Sequence, residues 1–384
     1  MARIAAAGLV ALAVAMGIGR FAFTPILPMM QQDAGVSVTT GGWLASANYL
    51  GYLLGAVSAI GLRIRRATAI RAGLVTIVVV TLGMATSRAF VVWLVLRVLA
   101  GVGSAWVLIF TSSWCLERLA ETRRPVLNGV VFAGVGSGSA VAGAVVLALM
   151  QHRASSAEAW TALGIVALVG TATVWSTFRT EGPAIAHEAG RVSAHTPSWD
   201  VEWLQLVLCY GVYGFGYIIP ATFVPVMARQ VVADPLVFGW AWPAFGAAAA
   251  LTPLGAAVWG QRIGSRRVWV ASQVVLAVGV AVPIAWPTIG GIMVAAVLVG
   301  GTFMVIVMAG MQEARVVAGR EATPLMAAMT SAFAAGQVVG PIVATSMLGA
   351  DGRFAHALLL ACVLLILTAG LLAIERAKRR LAAG

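Results

Sequence analysis

Two arginines interrupt long apolar stretches of the sequence, and they are the residues best placed to do chemistry. Arg20 follows Met-Gly-Ile-Gly and precedes Phe-Ala-Phe, while Arg97 lies within Trp-Leu-Val-Leu-Arg-Val-Leu-Ala. A charged side chain in so apolar a segment is costly and is by default a functional hypothesis. Since a guanidinium binds a carboxylate through two parallel hydrogen bonds, we expect an anion site that involves Arg20 and Arg97. The alternative is structural: each guanidinium satisfies backbone carbonyls or reaches towards the surface.

The apolar stretches contain no carboxylate that would neutralise these arginines. Five acidic residues stand at the ends of the stretches, namely Asp33, Glu117, Glu158, Glu202 and Glu313, and the others fall in predicted loops or tails. An unpaired buried cation favours an anion that arrives from elsewhere. Arg97 would tune the site or couple it to protons, and Glu117 and Glu313, near one end of their stretches, are further candidates for coupling.

All five tyrosines fall in two apolar stretches. Tyr49 and Tyr52 are three residues apart, and Tyr210, Tyr213 and Tyr217 follow an i, i+3, i+7 pattern that places them on one helix face. They lie too deep for an interfacial aromatic belt. We expect Tyr49, Tyr52, Tyr213 and Tyr217 to line a cavity with their hydroxyls; plain helix packing is the alternative.

Further polar residues in these stretches are Asn48, Thr302, Gln312 and Gln337. Singly, each such residue more often forms an interhelical hydrogen bond than binds a ligand. We take Asn48, Thr302 and Gln337 as candidates for substrate binding beside Arg20 and the tyrosines.

The composition indicates a polytopic membrane protein. Of 384 residues, 61% are hydrophobic and 10% are charged, and the mean hydropathy is +0.96; soluble domains are about 25% charged. The net charge of +12 could suggest nucleic-acid binding, but the basic residues punctuate gaps between apolar runs. Three cysteines and four histidines show no disulfide or metal-site spacing, so we expect no cofactor.

Twelve apolar segments are long enough to cross a bilayer core of about 30 Å. They run approximately over 4–30, 40–61, 67–86, 90–114, 125–150, 158–178, 202–227, 236–260, 266–286, 288–312, 323–349 and 355–374. A polar stretch separates two sets of six. The predicted organisation is a six-helix bundle over 1–179, a linker over 180–201 and a second six-helix bundle over 202–384.

A duplicated stretch indicates that the two halves are copies. Residues 17–30 align without a gap on residues 214–227. The identical pairs are Gly17/Gly214, Gly19/Gly216, Pro28/Pro225, Met30/Met227, Gly42/Gly239 and Trp43/Trp240. Because the copies lie six helices apart, they form a parallel repeat related by an axis along the membrane normal. The alignment places Arg20 opposite Tyr217.

The basic residues predict the orientation. With the N-terminus inside, the gaps and termini on the cytoplasmic side hold 19 basic residues and those outside hold four. Both termini are therefore expected to be cytoplasmic. The start, Met-Ala-Arg followed by an apolar run, is similar to a signal peptide, but the repeat favours its retention as the first helix.

Several motifs resemble those of the major facilitator superfamily. The run from Arg97 to Ala105 is similar to its R-x-x-x-G-x-G-x-A motif, which in some members is linked to proton coupling. Residues 61–66 and 260–267 resemble its basic loop motif, with the motif's Asp replaced by Leu62 and Gln261. More narrowly, residues 17–25, 45–52 and 300–304 resemble the YbfB/YjiJ-like branch.

The resemblance implies twelve helices whose spans one, four, seven and ten line a central path. It thereby places Arg20, Arg97, Tyr217 and Thr302 at the cavity. The residues that it implies for the gating loops are Arg63, Arg66, Arg262, Arg266 and Arg267.

These observations favour a secondary transporter that moves a small anionic or polar organic solute by alternating access. A proton-coupled efflux antiporter for drugs or metabolites is the alternative within transport. A membrane-embedded sensor or enzyme is disfavoured, because no nucleophile–base or metal constellation and no sizeable output domain is visible. We expect a monomer in the bacterial inner membrane. Its expected partners are the solute and the lipid bilayer, together with protons if transport is proton-coupled, and no nucleic acid.

Overall fold

The computed structural model describes residues 1–61, 64–120, 125–179, 201–319, 322–350 and 352–382, and its regular structure over these ranges is helical throughout. The α-helices in chain order are α1 Ala2–Leu12, α2 Phe23–Asp33, α3 Val38–Gly61, α4 Arg66–Gly83, α5 Phe90–Ala120, α6 Pro125–Gln151, α7 Ser156–Trp175, α8 Val201–Val231, α9 Pro235–Phe238, α10 Ala241–Ile263, α11 Ser265–Ala285, α12 Ile289–Ala318, α13 Ala322–Ser346 and α14 Ala355–Ala382. A π-helix over Ala13–Ile18 follows α1, and a short 3₁₀ turn over Thr177–Arg179 follows α7.

Ten helical segments in the described ranges are long and apolar enough to cross a membrane. The first of them comprises α1, the π-helix and α2; α3 and α10 are long helices that do not count among the ten. Their outward faces are apolar: Val91 is 69% exposed, Leu251 67% and Leu367 63%. Such a surface suits lipid and not water. The count of twelve spans stays a prediction.

Small residues bring the helices around Arg97 and Tyr217 into close contact. A Cβ added to Gly101 in α5 would collide with the backbone oxygen of Asn48 in α3. A Cβ on Gly214 in α8 would likewise lie 2.9 Å from the Cα of Phe333 in α13. Glycine at these positions therefore sets the spacing of the α3–α5 and α8–α13 pairs.

Helices from the first part of the chain pack directly on helices from the second part. The pairs are α6 with α10, α3 with α13, and α2 with α8. We call this contact surface the seam. The side-chain oxygen of Ser46 donates to the backbone oxygen of Val338 across it, at 2.8 Å.

Candidate functional site

The first segment is irregular where Arg20 stands. After α1 the chain forms the π-helix Ala13–Ile18, and residues 19–22 form a turn that leads into α2. The N–H groups of Gly19 and Phe21 bond to oxygens five residues back, at 2.9 and 3.0 Å. Such π-helical turns are frequent at functional sites. The turn holds the Arg20 side chain inside the protein, where it is 2% exposed.

Arg97 braces this turn through backbone oxygens. Its Nη1 donates to the oxygen of Gly19 at 3.5 Å and its Nη2 to the oxygen of Arg20 at 3.3 Å. Its Nε donates to the oxygen of Leu44 in α3 at 3.3 Å. Asn48 adds a bond from Nδ2 to the Gly19 oxygen at 3.5 Å. Irregular backbone at membrane depth persists only where neighbours satisfy its polar groups, so Arg97 and Asn48 support the backbone that carries Arg20.

The Arg20 side chain reaches across the seam. Its Nη2 donates to Oε1 of Gln337 in α13, and Nε2 of Gln337 donates to the hydroxyl of Tyr217 in α8. The structure therefore joins the two residues that the repeat places opposite each other, with one carboxamide between them. All three side chains are buried. We call Arg20, Gln337 and Tyr217 the polar triad.

Aromatic rings surround the Arg20 guanidinium. Its Cζ lies 4.1 Å from the ring centroid of Tyr52, 5.1 Å from that of Tyr49 and 5.3 Å from that of Phe21. Cations within about 6 Å of a ring are stabilised by its quadrupole. These neighbours stabilise the charge without neutralising it. Within the described structure, the Arg20 Nε is also buried without a hydrogen-bond partner.

Two further hydrogen bonds cross the seam beside the polar triad. The hydroxyls of Tyr49 and Thr222 are 3.1 Å apart, and the hydroxyl of Thr24 donates to the backbone oxygen of Ala221 at 3.3 Å. All four residues are buried. Uncharged hydroxyls thus contribute to the contact across the seam beside the charged Arg20.

Three further sequence candidates, Tyr213, Thr302 and Asn48, have hydrogen-bond partners on their own side of the seam. The hydroxyl of Tyr213 donates to the backbone oxygen of Phe303 at 2.6 Å. The hydroxyl of Thr302 donates within its own helix, to the oxygen of Leu298 at 2.7 Å. Asn48 also donates to the Arg97 oxygen at 3.0 Å, while its Oδ1 is buried without a partner in the described structure.

A run of nearly parallel rings, which we call the aromatic stack, adjoins the polar triad. Its members come from α8, α10, α12 and α13: Trp242, Phe245, Phe303, Tyr217 and Phe333. The Tyr217 ring makes angles of 1° with Phe303 and 4° with Phe333, at centroid distances of 5.5 and 5.7 Å. Apart from Tyr217, sequence reasoning missed these residues, because four separate helices contribute them and no local spacing marks them.

The site is cationic. Among the described residues, neither Arg20 nor Arg97 has a carboxylate oxygen within salt-bridge distance, and no cluster of three or more potential metal ligands occurs there. The positive charge therefore meets only neutral side chains, ring faces and backbone oxygens. Chemically, the arrangement can bind an anion or a strong hydrogen-bond acceptor.

A second polar cluster lies at the ends of α8, α11 and α12. Nη1 of Arg266 is 2.9 Å from a carboxylate oxygen of Glu202 and 3.7 Å from one of Glu313. The hydroxyl of Ser265 donates to the other oxygen of Glu313. The structure thus brings together Glu313, a coupling candidate, and Arg266, a loop candidate.

The other loop candidates have different surroundings. Arg262 and Arg267 are exposed, and Arg66 begins α4. Arg63 and the side chain of Glu117 lie outside the described residues.

Two cavities formed by described residues open at the surface, and neither is lined by the polar triad, whose three side chains are buried. One of about 400 Å³ is an apolar groove at the seam, bordered by Trp43, Leu50, Leu99, Val338 and others. The other, of about 310 Å³, lies beside Met1 and Arg118. The polar triad is therefore closed in this conformation.

Comparison with known proteins places the chain in a family. A sequence model described as "Uncharacterised MFS-type transporter YbfB" matches residues 12–373. The chain belongs to this family. Its description assigns the family to the major facilitator superfamily (MFS), so the protein is a transporter. This membership points away from an enzyme. The apolar helices make the protein a multi-pass membrane protein.

Among solved structures, a crystal structure of a point mutant of the nucleoside transporter NupG is similar to the chain. The TM-score is 0.72, the identity is 13%, and the match covers 97% of this chain and 99% of that one. At this identity the likeness shows the fold alone. It confirms the fold family that the motifs suggested. A search of curated protein sequences gives no significant match.

Proposed function

We propose that this transporter moves a small anionic or polar organic solute, which binds at the seam with Arg20 as its anchor. The observation that carries the proposal is the buried Arg20 guanidinium, which donates to a neutral carboxamide that also contacts Tyr217, and which has no carboxylate within salt-bridge distance among the described residues. Burying a cation without a fixed counterion carries a large desolvation free energy, and an anion that binds beside it offsets this cost. Tyr217 then donates to the solute from the opposite side.

The proposed substrate site extends from the polar triad to its polar neighbours. Tyr49, Tyr52 and Asn48 approach from α3, and Tyr213 and Thr302 from α8 and α12. Of these, the buried Asn48 Oδ1 has no partner among the described residues, and it is free to accept a hydrogen bond from a solute hydroxyl or amine.

Alternating access between two six-helix halves is the proposed mechanism. Recurring helix pairs support a repeat: α3 packs on α5 as α10 packs on α12, and α4 packs on α7 as α11 packs on α14. These pairs correspond under the shift that aligns Gly17 with Gly214. Arg20 and Gln337 stand on opposite halves, so opening the seam separates them and frees the site.

Twelve spans and cytoplasmic termini complete the proposed topology. It has halves over 1–179 and 202–384 joined by a cytoplasmic linker, in a monomer of the bacterial inner membrane. The excess of basic residues on one side supports the orientation. Arg97 has a supporting role in this proposal, because its bonds to the backbone oxygens of Gly19 and Arg20 hold the turn that carries Arg20. Coupling to protons through Glu313 or Glu117 is the proposed alternative.

Uptake or efflux by variants of Arg20 tests the proposal. In proteoliposomes supplied with a mixture of small organic acids and neutral polar solutes, we expect Arg20→Ala to abolish solute movement. Arg20→Lys keeps the charge but loses the planar fork, so we expect reduced movement. Arg71→Ala is the matched control, because Arg71 also bonds a backbone oxygen and lies over the Trp175 ring, yet is remote from the seam.

The control separates loss of function from loss of the protein. All variants are compared at equal amounts of folded, membrane-inserted protein, measured by gel filtration in detergent. Normal transport by Arg20→Ala contradicts the assignment of the anchor. Equal loss in Arg20→Ala and Arg71→Ala contradicts a specific role for Arg20.

A further inference from the structure

The aromatic stack passes the polar triad at Tyr217, which stacks with both Phe303 and Phe333. Beyond the two rings on Tyr217, Phe303 lies at 19° to Phe245 with centroids 5.5 Å apart, and Phe245 at 6° to Trp242 with centroids 4.6 Å apart. The Tyr217 hydroxyl, at the edge of the stack, is where the Gln337 carboxamide joins Arg20. Offset parallel stacking is a favoured arrangement of aromatic rings, so a further flat ring is expected to pack favourably against these side chains.

The Gln337 carboxamide has the shape of the group that would replace it. A carboxamide and a carboxylate are both planar with two polar atoms on one carbon. In the structure the carboxamide oxygen accepts a hydrogen bond from Arg20, and the carboxamide nitrogen donates one to the Tyr217 hydroxyl oxygen. A carboxylate in the same place would accept from both partners, because the Tyr217 hydroxyl can turn to donate. It would also neutralise the guanidinium, which Gln337 does not.

We propose that the solute is a planar aromatic carboxylate, with its carboxylate in the place of the Gln337 carboxamide and its ring against the aromatic stack. This inference rests on the proposed function and specifies the substrate class. Gln337 acts in it as an internal placeholder that gives up Arg20 and Tyr217 when the solute arrives. The solute then has two requirements, a negative charge and a flat ring.

Equilibrium binding to the purified full-length protein separates these requirements. The probes are labelled benzoate, phenylacetate and indole-3-acetate, and the competitors are cyclohexanecarboxylate, benzamide and uridine. We expect saturable binding of at least one aromatic acid. Its matched competitors should bind at least about tenfold more weakly, a difference of about 1.4 kcal/mol: cyclohexanecarboxylate lacks the flat ring, and benzamide lacks the charge.

Three variants assign the effects to residues. Arg20→Gln should abolish binding of the aromatic acid. Phe333→Leu should weaken the aromatic acid several-fold while leaving cyclohexanecarboxylate unchanged. Gln337→Leu removes the placeholder, so it should tighten binding of the aromatic acid several-fold; weaker binding to this variant would contradict the placeholder role.

The outcomes distinguish this inference from the function on which it rests. An aliphatic carboxylate that binds as tightly as the aromatic acids, and in an Arg20-dependent manner, overturns the aromatic class and leaves the anion site standing. Absence of binding by all three aromatic acids to folded wild-type protein also overturns the aromatic class. Uridine binding that survives Arg20→Gln contradicts both the class and the anchor.

Discussion

The Gln337 carboxamide accepts a hydrogen bond from the Arg20 guanidinium across the seam. One residue comes from the irregular turn in the first segment and the other from α13, so the contact ties together the parts of the chain that separate in the proposed alternating-access cycle. A neutral partner is well suited to this position. In the proposed cycle it holds the cation when no solute is present, and a carboxylate displaces it.

We predict that removal of the Arg97 side chain lowers the thermal stability of the protein. Arg97→Ala leaves the buried oxygens of Gly19, Arg20 and Leu44 without their guanidinium donors. An unsatisfied buried polar group costs about 1–3 kcal/mol, so we expect a clear fall in the melting temperature in detergent. Arg71→Ala, measured in parallel, should change it less. An Arg97→Ala protein as stable as the wild type would contradict the bracing role.

Substitutions in the Arg266 cluster are predicted to lower the free energy of unfolding by unequal amounts. Arg266→Ala removes the cation that the buried carboxylates of Glu202 and Glu313 share, and removing one partner of a buried ion pair costs about 3–5 kcal/mol. Glu313→Gln should cost much less, because Glu202 is the closer partner of Arg266. Thermal unfolding of both variants tests the order. Restored stability in the combination of Arg266→Ala with Glu202→Gln and Glu313→Gln would identify the lost ion pairing with Arg266 as the cause.

Helix spacing predicts opposite effects of the same substitution at two glycines. Gly214→Ala brings a methyl group against the backbone of Phe333 and should separate α8 from α13, which lowers both stability and transport. Gly255 in α10 has open space around its Cα, so Gly255→Ala should be neutral or should stabilise by up to about 1 kcal/mol. Melting temperatures of the two variants test this difference. Equal changes in both would contradict the claim that close packing requires glycine at position 214.

The hydroxyl pair at the seam should show energetic coupling. Tyr49→Phe and Thr222→Val each remove one side of a 3.1 Å hydrogen bond. Interhelical hydrogen bonds in membranes are worth on average about 0.6 kcal/mol, so the double variant should be scarcely less stable than either single one. Strictly additive losses in a double-mutant cycle would show that the two hydroxyls do not interact.

The sequence predicts the fold family and the members of the polar triad, because both depend on residue type. The apolar runs mark the helices, and a lone arginine in such a run is conspicuous on its own. The repeat alignment pairs Arg20 with Tyr217, and the structure joins them through Gln337.

The sequence does not reveal how these residues are held. The π-helix before Arg20 depends on which backbone oxygens α3 and α5 can satisfy, which is a tertiary property. Likewise, the aromatic stack is assembled from rings on four helices, so no window of sequence contains it. The Arg266 cluster joins residues 64 and 47 positions apart for the same reason.

Thermal stabilisation of the purified protein by small organic anions tests the central claim most directly, because a ligand that binds only the folded state raises its stability by mass action. We expect at least one anion to raise the melting temperature of the wild type and of Arg71→Ala, and to have no effect on Arg20→Gln. An anion that stabilises Arg20→Gln as much as the wild type would contradict the claim that Arg20 anchors the solute.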